Sequence, residues 1–156
     1  MVVVQMDGRY YVMVLSDIVT DPDGIVVALQ HATHVTLHAL SVRLAHLDLT
    51  PAEQNVLAVL ADGTRRAVGD VAAETGSRPT TLTSVLDRLE RRRLLRRRLD
   101  PADRRSFLVT LTPAGRRAAS SVRDVMTEFE RAALAGLTPE QLAGFRAVTR
   151  ALTQAH

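Results

Sequence analysis

Between Asp23 and Leu47 the apolar positions fall into two helical stripes. Ile25, Leu29, Ala32, Val35, Ala39 and Val42, continued by His46, form one, and Leu37, Leu40, Leu44 and Leu47 form the other. Together they make the segment apolar around much of its circumference, which predicts a helix buried on more than one side. Three later helices open on the same punctuation. Leu49-Thr50-Pro51, Leu111-Thr112-Pro113 and Leu137-Thr138-Pro139 each set a threonine cap before a first-turn proline, and Glu53 and Gln141 complete capping boxes three residues after their threonines. The first of these runs from Pro51 to Ala61, turns Val56, Leu57 and Leu60 inward, and stops at Asp62-Gly63. The second, Pro113 to Ala135, repeats Ala118, Val122, Val125, Met126, Phe129 and Leu134 at helical spacing; the last, from Pro139 to about Thr153, repeats Leu142, Phe145, Val148 and Leu152.

The middle of the chain changes period. Val68, Val71 and Ala72 give a short helix its apolar face, and Gly76 ends it, since glycine takes the left-handed conformation without a Cβ penalty. After the turn Ser77-Arg78-Pro79, a second helix from Pro79 to about Arg92 carries Leu82, Val85, Leu86 and Leu89 on one face. Two runs of β character come next, Leu95 to Leu99 and Phe107 to Leu111, joined by the turn-rich Asp100-Pro-Ala-Asp-Arg-Arg-Ser106. Helix, turn, helix and hairpin in that order predict a winged helix-turn-helix. The fold class is therefore mainly α with a small β-hairpin wing.

Charge gives this segment a function. From Arg78 to Arg117 there are 12 arginines against four acids, a local +8, while the remainder of the chain sums to −5. A positive field concentrated on one module is the footprint of phosphate neutralisation, which the whole-chain value of +3 conceals. The helix face opposite the leucines presents Thr80, Thr83, Ser84, Asp87, Arg88 and Arg91. Short hydroxyls and arginines suit a helix entering a major groove, because they approach base edges and phosphates without steric bulk. An arginine on a thin loop, as at Arg104 and Arg105, suits the narrow minor groove, where the potential is most negative.

The sequence resembles the MarR family of bacterial transcription regulators. Asp103-Arg104-Arg105 followed by Leu111-Thr112 and Gly115 matches the family's D-x-R wing and its L-T-x-x-G continuation, and Leu89-Glu90 with Leu94-Leu95-Arg96 matches the end of the recognition helix and the first wing strand. The resemblance runs from about Gly24 to the C-terminus. It departs from the pattern at Arg93, where the family usually has glycine, so a left-handed Arg93 would add about 1 kcal/mol of strain. The resemblance implies a winged lobe over 50–112 and a helical dimerisation region over 22–48 and 113–156, with 1–21 as an N-terminal extension. It implies a homodimer on a palindromic DNA operator, acting as a repressor and released by a small aromatic or phenolic ligand. Carried onto these residues, it assigns Thr80, Thr81, Thr83, Ser84 and Arg88, on the helix opened by Pro79, to the major groove, and Arg105 to the minor groove with Arg104 on a phosphate. Asp103 then orients Arg105, while Arg78, Arg96 and Arg97 grip phosphates.

Three features outside the lobe complete the picture. His34 and His38 stand four apart with His31 one turn away, a spacing that suits a ligand pocket, a metal site or buried structural imidazoles. A metal-responsive regulator using them, or a winged helix that binds protein and not DNA, are the alternatives. The start of the chain, Val2 to Met6, Asp7-Gly8, then Arg9 to Leu15, carries a two-residue hairpin signal, equally consistent with an incidental extension. No basic region precedes that apolar run, and no clear cleavage site comes after it, so it does not resemble a secretory leader. With no cysteine there is no disulfide, thiolate metal site or thiol switch, and no P-loop, HExxH or nucleophile elbow points to an enzyme. The absence of an 18-residue apolar run predicts a cytoplasmic protein without a membrane span, and no cofactor is expected.

Overall fold

The computed structural model describes residues 2–6, 9–13 and 24–155, and the chain divides into two compact units, residues 1–42 and 43–156. In the first, strands β1 (Val2–Met6) and β2 (Arg9–Met13) pair antiparallel, with Met6 opposite Arg9 and Val2 opposite Met13. That register leaves two residues to connect them, as the Asp-Gly signal predicts; Asp7, Gly8, Val14 and Leu15 lie outside the described residues. Helix α1 spans Ile25–Arg43, and a 3-10 turn, Ala45–Leu47, takes up the remainder of the predicted helix.

The expected burial of α1 is not met. Leu40 is its one buried residue, and Ile25, Val35 and Val42 are more than half exposed. Helical periodicity locates an apolar face, but it does not say what will cover it. By length and apolar content α1 also passes as a candidate membrane span, which the absence of an unbroken apolar run did not anticipate; Gln30 and three histidines interrupt it.

The second unit holds helix α2 (Pro51–Val59), a two-residue strand β3 (Arg66–Ala67), α3 (Val68–Thr75), α4 (Pro79–Arg91), β4 (Leu95–Leu99), β5 (Phe107–Leu111), α5 (Pro113–Ala133) and α6 (Pro139–Gln154). The sheet order is β3-β5-β4, with Leu95 opposite Leu111, Arg97 opposite Val109 and Arg66 also opposite Val109. Strand β3 escapes sequence reading because two residues cannot display an alternation. One core joins helices α2 to α5 with strands β4 and β5. Val56, Leu57, Leu60, Val71, Leu82, Val85, Leu86 and Leu89 meet Leu95, Val109, Leu111 and Ala119 in a single buried cluster.

The helix ends show how local chemistry sets the frame. Thr50 and Thr138 accept from the backbone of Glu53 and Gln141 while those side chains accept in return, so both capping boxes form. Helices α3 and α4 stop in the same geometry. Ser77 N–H donates to Ala72 O and Gly76 N–H to Ala73 O; Leu94 N–H donates to Leu89 O and Arg93 N–H to Glu90 O. The left-handed residue is Gly76 in one case (φ 62°) and Arg93 in the other (φ 57°), so the recognition helix does end on a strained non-glycine residue.

The turn after Arg93 accounts for the L-T-x-x-G stretch. Thr112 donates from its hydroxyl to Arg93 O (2.7 Å) and from its backbone to Leu94 O (3.0 Å), and its oxygen accepts from Gly115 N–H (3.0 Å). A Cβ on Gly115 would lie 1.7 Å from Leu94 O, so only glycine lets α5 start against that turn.

Candidate nucleic-acid interface

Helix α4 is divided cleanly between core and solvent. Leu82, Val85, Leu86 and Leu89 are buried, whereas Arg78 at the cap, Pro79, Thr80, Thr81, Thr83 and Ser84 are all exposed. Two of the hydroxyls are already engaged. Thr83 donates to Pro79 O (2.9 Å) and Ser84 to Thr81 O (2.8 Å), which holds both side chains against the helix and keeps its first turns slim.

Asp103 organises the wing tip. Its Oδ1 accepts from the backbone N–H of Arg105 (3.0 Å) and pairs with Arg105 Nε (3.4 Å), leaving the arginine side chain 94% exposed. Asp100 Oδ1 accepts from Ala102 N–H (2.8 Å), Asp100 N–H donates to Ser106 O, and Ser106 N–H to Asp103 O, so the loop is folded before anything binds it. The predicted roles of Asp103 and Arg105 thus fall to two residues the structure joins directly. Arg104 is exposed beside them.

Three arginines serve a different purpose. Arg97, expected on a phosphate, is tucked against the end of α4: its guanidinium pairs with Asp87 (2.5 Å) and Glu90 (2.7 Å), and its backbone N–H donates to Glu90 (2.9 Å). The backbone N–H and guanidinium of Arg97 hold the Glu90 carboxyl below its usual range. That arrangement is the physical reason to withdraw Arg97 from the phosphate-gripping set, since its charge is neutralised within the fold.

Arg88, expected in the groove, donates from Nε to Glu53 (3.1 Å), whose side chain is only 3% exposed. Burial pushes the Glu53 carboxyl up, but hydrogen bonds from Thr50 and Arg88 outweigh it, and the net shift is downward. Arg92 reaches the carbonyls of Leu47 (2.9 Å) and Asp48. Neither the Arg92 anchor nor the Glu53 partner is visible in sequence, because the contacts span 44 and 35 positions.

On this lobe Arg78, Arg96, Arg104 and Arg105 are exposed, as is the hydroxyl face of α4, while Arg88, Arg92 and Arg97 tie that helix to Glu53, to the carbonyls of Leu47 and Asp48, and to β4. The profile of the MarR family matches residues 47–106, the span that contains both helices of the helix-turn-helix, strand β4 and the wing loop, and ends just before β5. Over that span the chain is similar to the MarR family.

The chain shares its fold with many solved structures. It is 28% identical to BpsR of Bordetella bronchiseptica, covering 87% of this chain and 97% of that one with a TM-score of 0.74. It is 26% identical to the PcaV transcriptional regulator of Streptomyces coelicolor, covering 92% and 99% at a TM-score of 0.70. MepR of S. aureus, solved with DNA, is 22% identical over 83% of this chain and 96% of that one at a TM-score of 0.71, a likeness of fold. No curated protein matches the sequence.

His31, His34 and His38 are all exposed on α1. Among the described residues, no three histidine or acidic side chains group as a metal site, so the structure adds nothing to the spacing that singled them out.

Proposed function

We propose that this chain is a MarR-type transcription regulator, a homodimeric repressor that reads a palindromic operator and releases it on binding a small aromatic or phenolic ligand. The observation that carries the DNA reading is the pairing, on one lobe, of a slim hydroxyl face on α4 with an arginine preset by Asp103 at the wing tip. Thr80, Thr81, Thr83 and Ser84 contact bases in the major groove, and Arg105 enters the minor groove. Arg78, Arg96 and Arg104 meet phosphates, which sets affinity and salt dependence more than sequence choice. Arg88 holds the helix at the right depth through Glu53. The protein acts where its operator is, in the cytoplasm.

The dimer rests on unpartnered apolar surface. Phe145, Val148 and Leu152 on α6 are exposed, and α6 has no buried residue at all. A second copy seated there buries them and places two recognition helices about 34 Å apart, one turn of DNA. For the ligand, BpsR offers a guide, since 6-hydroxynicotinic acid regulates its DNA binding. We place the aromatic acid of this chain at the face of α1 carrying His31, His34 and His38. It weakens DNA binding only if it favours a lobe spacing that mismatches successive grooves.

A footprint on DNA flanking the protein's own gene, at near-physiological salt with competitor DNA, tests the reading. The expected result is a protected palindrome lost with Arg105→Ala and weakened steeply by salt. Protection that competitor abolishes would remove the claim of sequence specificity. Substituting His34 or His38 should alter the response to added aromatic acids while leaving operator affinity in place; an unchanged response sinks the ligand site.

A further inference from the structure

The sheet of the winged lobe has two faces, and only one is accounted for by the core. Leu95, Val109 and Leu111 point inward and are buried. On the other side, Arg96 lies opposite Thr110 and Arg98 opposite Leu108, two residues apart on each strand and therefore on one face. Arg65, just before β3, and Arg116, in the first turns of α5, close the same space. These four arginines line a cavity of about 400 Å³ whose floor includes Leu108 and Pro113.

The cavity is short of counter-charge. Among the described residues no acidic side chain lines it, and none of its four arginines forms an ion pair; Arg116 donates to the carbonyl of Leu111 (3.3 Å). Elsewhere in this lobe the contrast is plain, since Arg66, Arg88 and Arg97 each sit against one or two carboxylates. Four like charges gathered around a partly apolar concavity repel one another until an anion enters. Guanidinium groups are well shaped for clustered oxyanions, which they hold by paired N–H donors.

We infer that this cavity is a binding site for a small multiply charged anion, with phosphate or carboxylate groups against Arg65, Arg96, Arg98 and Arg116 and an apolar portion against Leu108 and Pro113. It shares no residue with the histidine face of α1, and anion binding there does not depend on the operator reading. It does connect to DNA. Arg96 belongs both to this cavity and to the phosphate-facing set, so an occupied cavity withdraws one cation from the operator.

Calorimetric titration of the full chain with pyrophosphate and, separately, with citrate, each against sodium chloride at equal ionic strength, tests the site. Saturable binding of either is expected, and which one binds identifies the head group. The double variant Arg98→Gln/Arg116→Gln, outside the residues assigned to DNA, should lower that affinity by about tenfold or more while keeping Tm without anion and binding to a fixed operator fragment. Arg65→Gln alone provides a second variant should the double fail to fold. Absence of saturable binding overturns the proposal, as does binding that the variants leave unchanged. A double variant that loses operator affinity while the parent takes up neither anion overturns it in favour of a track for DNA phosphates.

Discussion

Helices α2 and α6 begin alike and end differently. Each opens on Leu-Thr-Pro, each closes a complete capping box, and each repeats apolar residues at helical spacing. Yet α2 and the residue that ends it hold Val56, Leu57 and Leu60 at 0–1% exposure, while α6 buries nothing and leaves Phe145 60% exposed. The cap determines where a helix starts. Whether its apolar face is covered depends on what the rest of the chain supplies, and for α6 the chain supplies too little. A short isolated helix is marginal in water whatever its cap, so α6 needs a partner more than α2 needs its box.

Truncating the two faces should separate these cases most sharply. Leu57→Ala is expected to destabilise the lobe by about 2–5 kcal/mol, independent of protein concentration, in urea unfolding. Phe145→Ser removes apolar contact worth roughly 2 kcal/mol per copy and should act only through association. Its Tm should lose the concentration dependence of the parent, and sedimentation should show a lighter species. Equal, concentration-independent losses for the two variants would mean that α6 packs within its own chain.

Acid reaches one end of the comparison and not the other, because the α2 box uses a glutamate and the α6 box a glutamine. The folded-state pKa of Glu53 is lowered from 4.5, so its contribution is complete above that value and is lost as pH falls through the depressed one. Stability should therefore decline on the acid side of pH 4.5, and Glu53→Gln should flatten that limb. An identical acid limb in the variant would detach Glu53 from it. The smallest effect lies at the end of the recognition helix. Arg93→Gly should raise stability by about 1 kcal/mol with operator affinity retained, since it relieves a left-handed arginine.

Much of the fold was legible in the chain because it is local. The Thr-Pro starts, Gly76, the wing strands Leu95–Leu99 and Phe107–Leu111, and the Asp103–Arg105 unit all depend on residues within a few positions of one another. Arg97 was misassigned because an arginine in a basic run looks solvated until Asp87 and Glu90 are brought beneath it. Arg88 and Arg92 show the same limit, as their partners lie far back in the sequence at Glu53, Leu47 and Asp48. The two stripes of α1 were visible, but their exposure was not, since periodicity measures the width of an apolar face and says nothing of its neighbour.

The back-bonded hydroxyls of α4 carry one more consequence. Thr83 and Ser84 have each committed their only proton to a backbone carbonyl, so what they turn outward is a pair of oxygen lone pairs. In a major groove such an oxygen accepts from the amino group of adenine or cytosine without disturbing the helix. The O6 and N7 of guanine, which only accept, would require the hydroxyl to rotate and abandon its carbonyl. Entering the groove as proposed, the helix would meet DNA with a built-in preference for amino-bearing edges, set by bonds that never leave the protein.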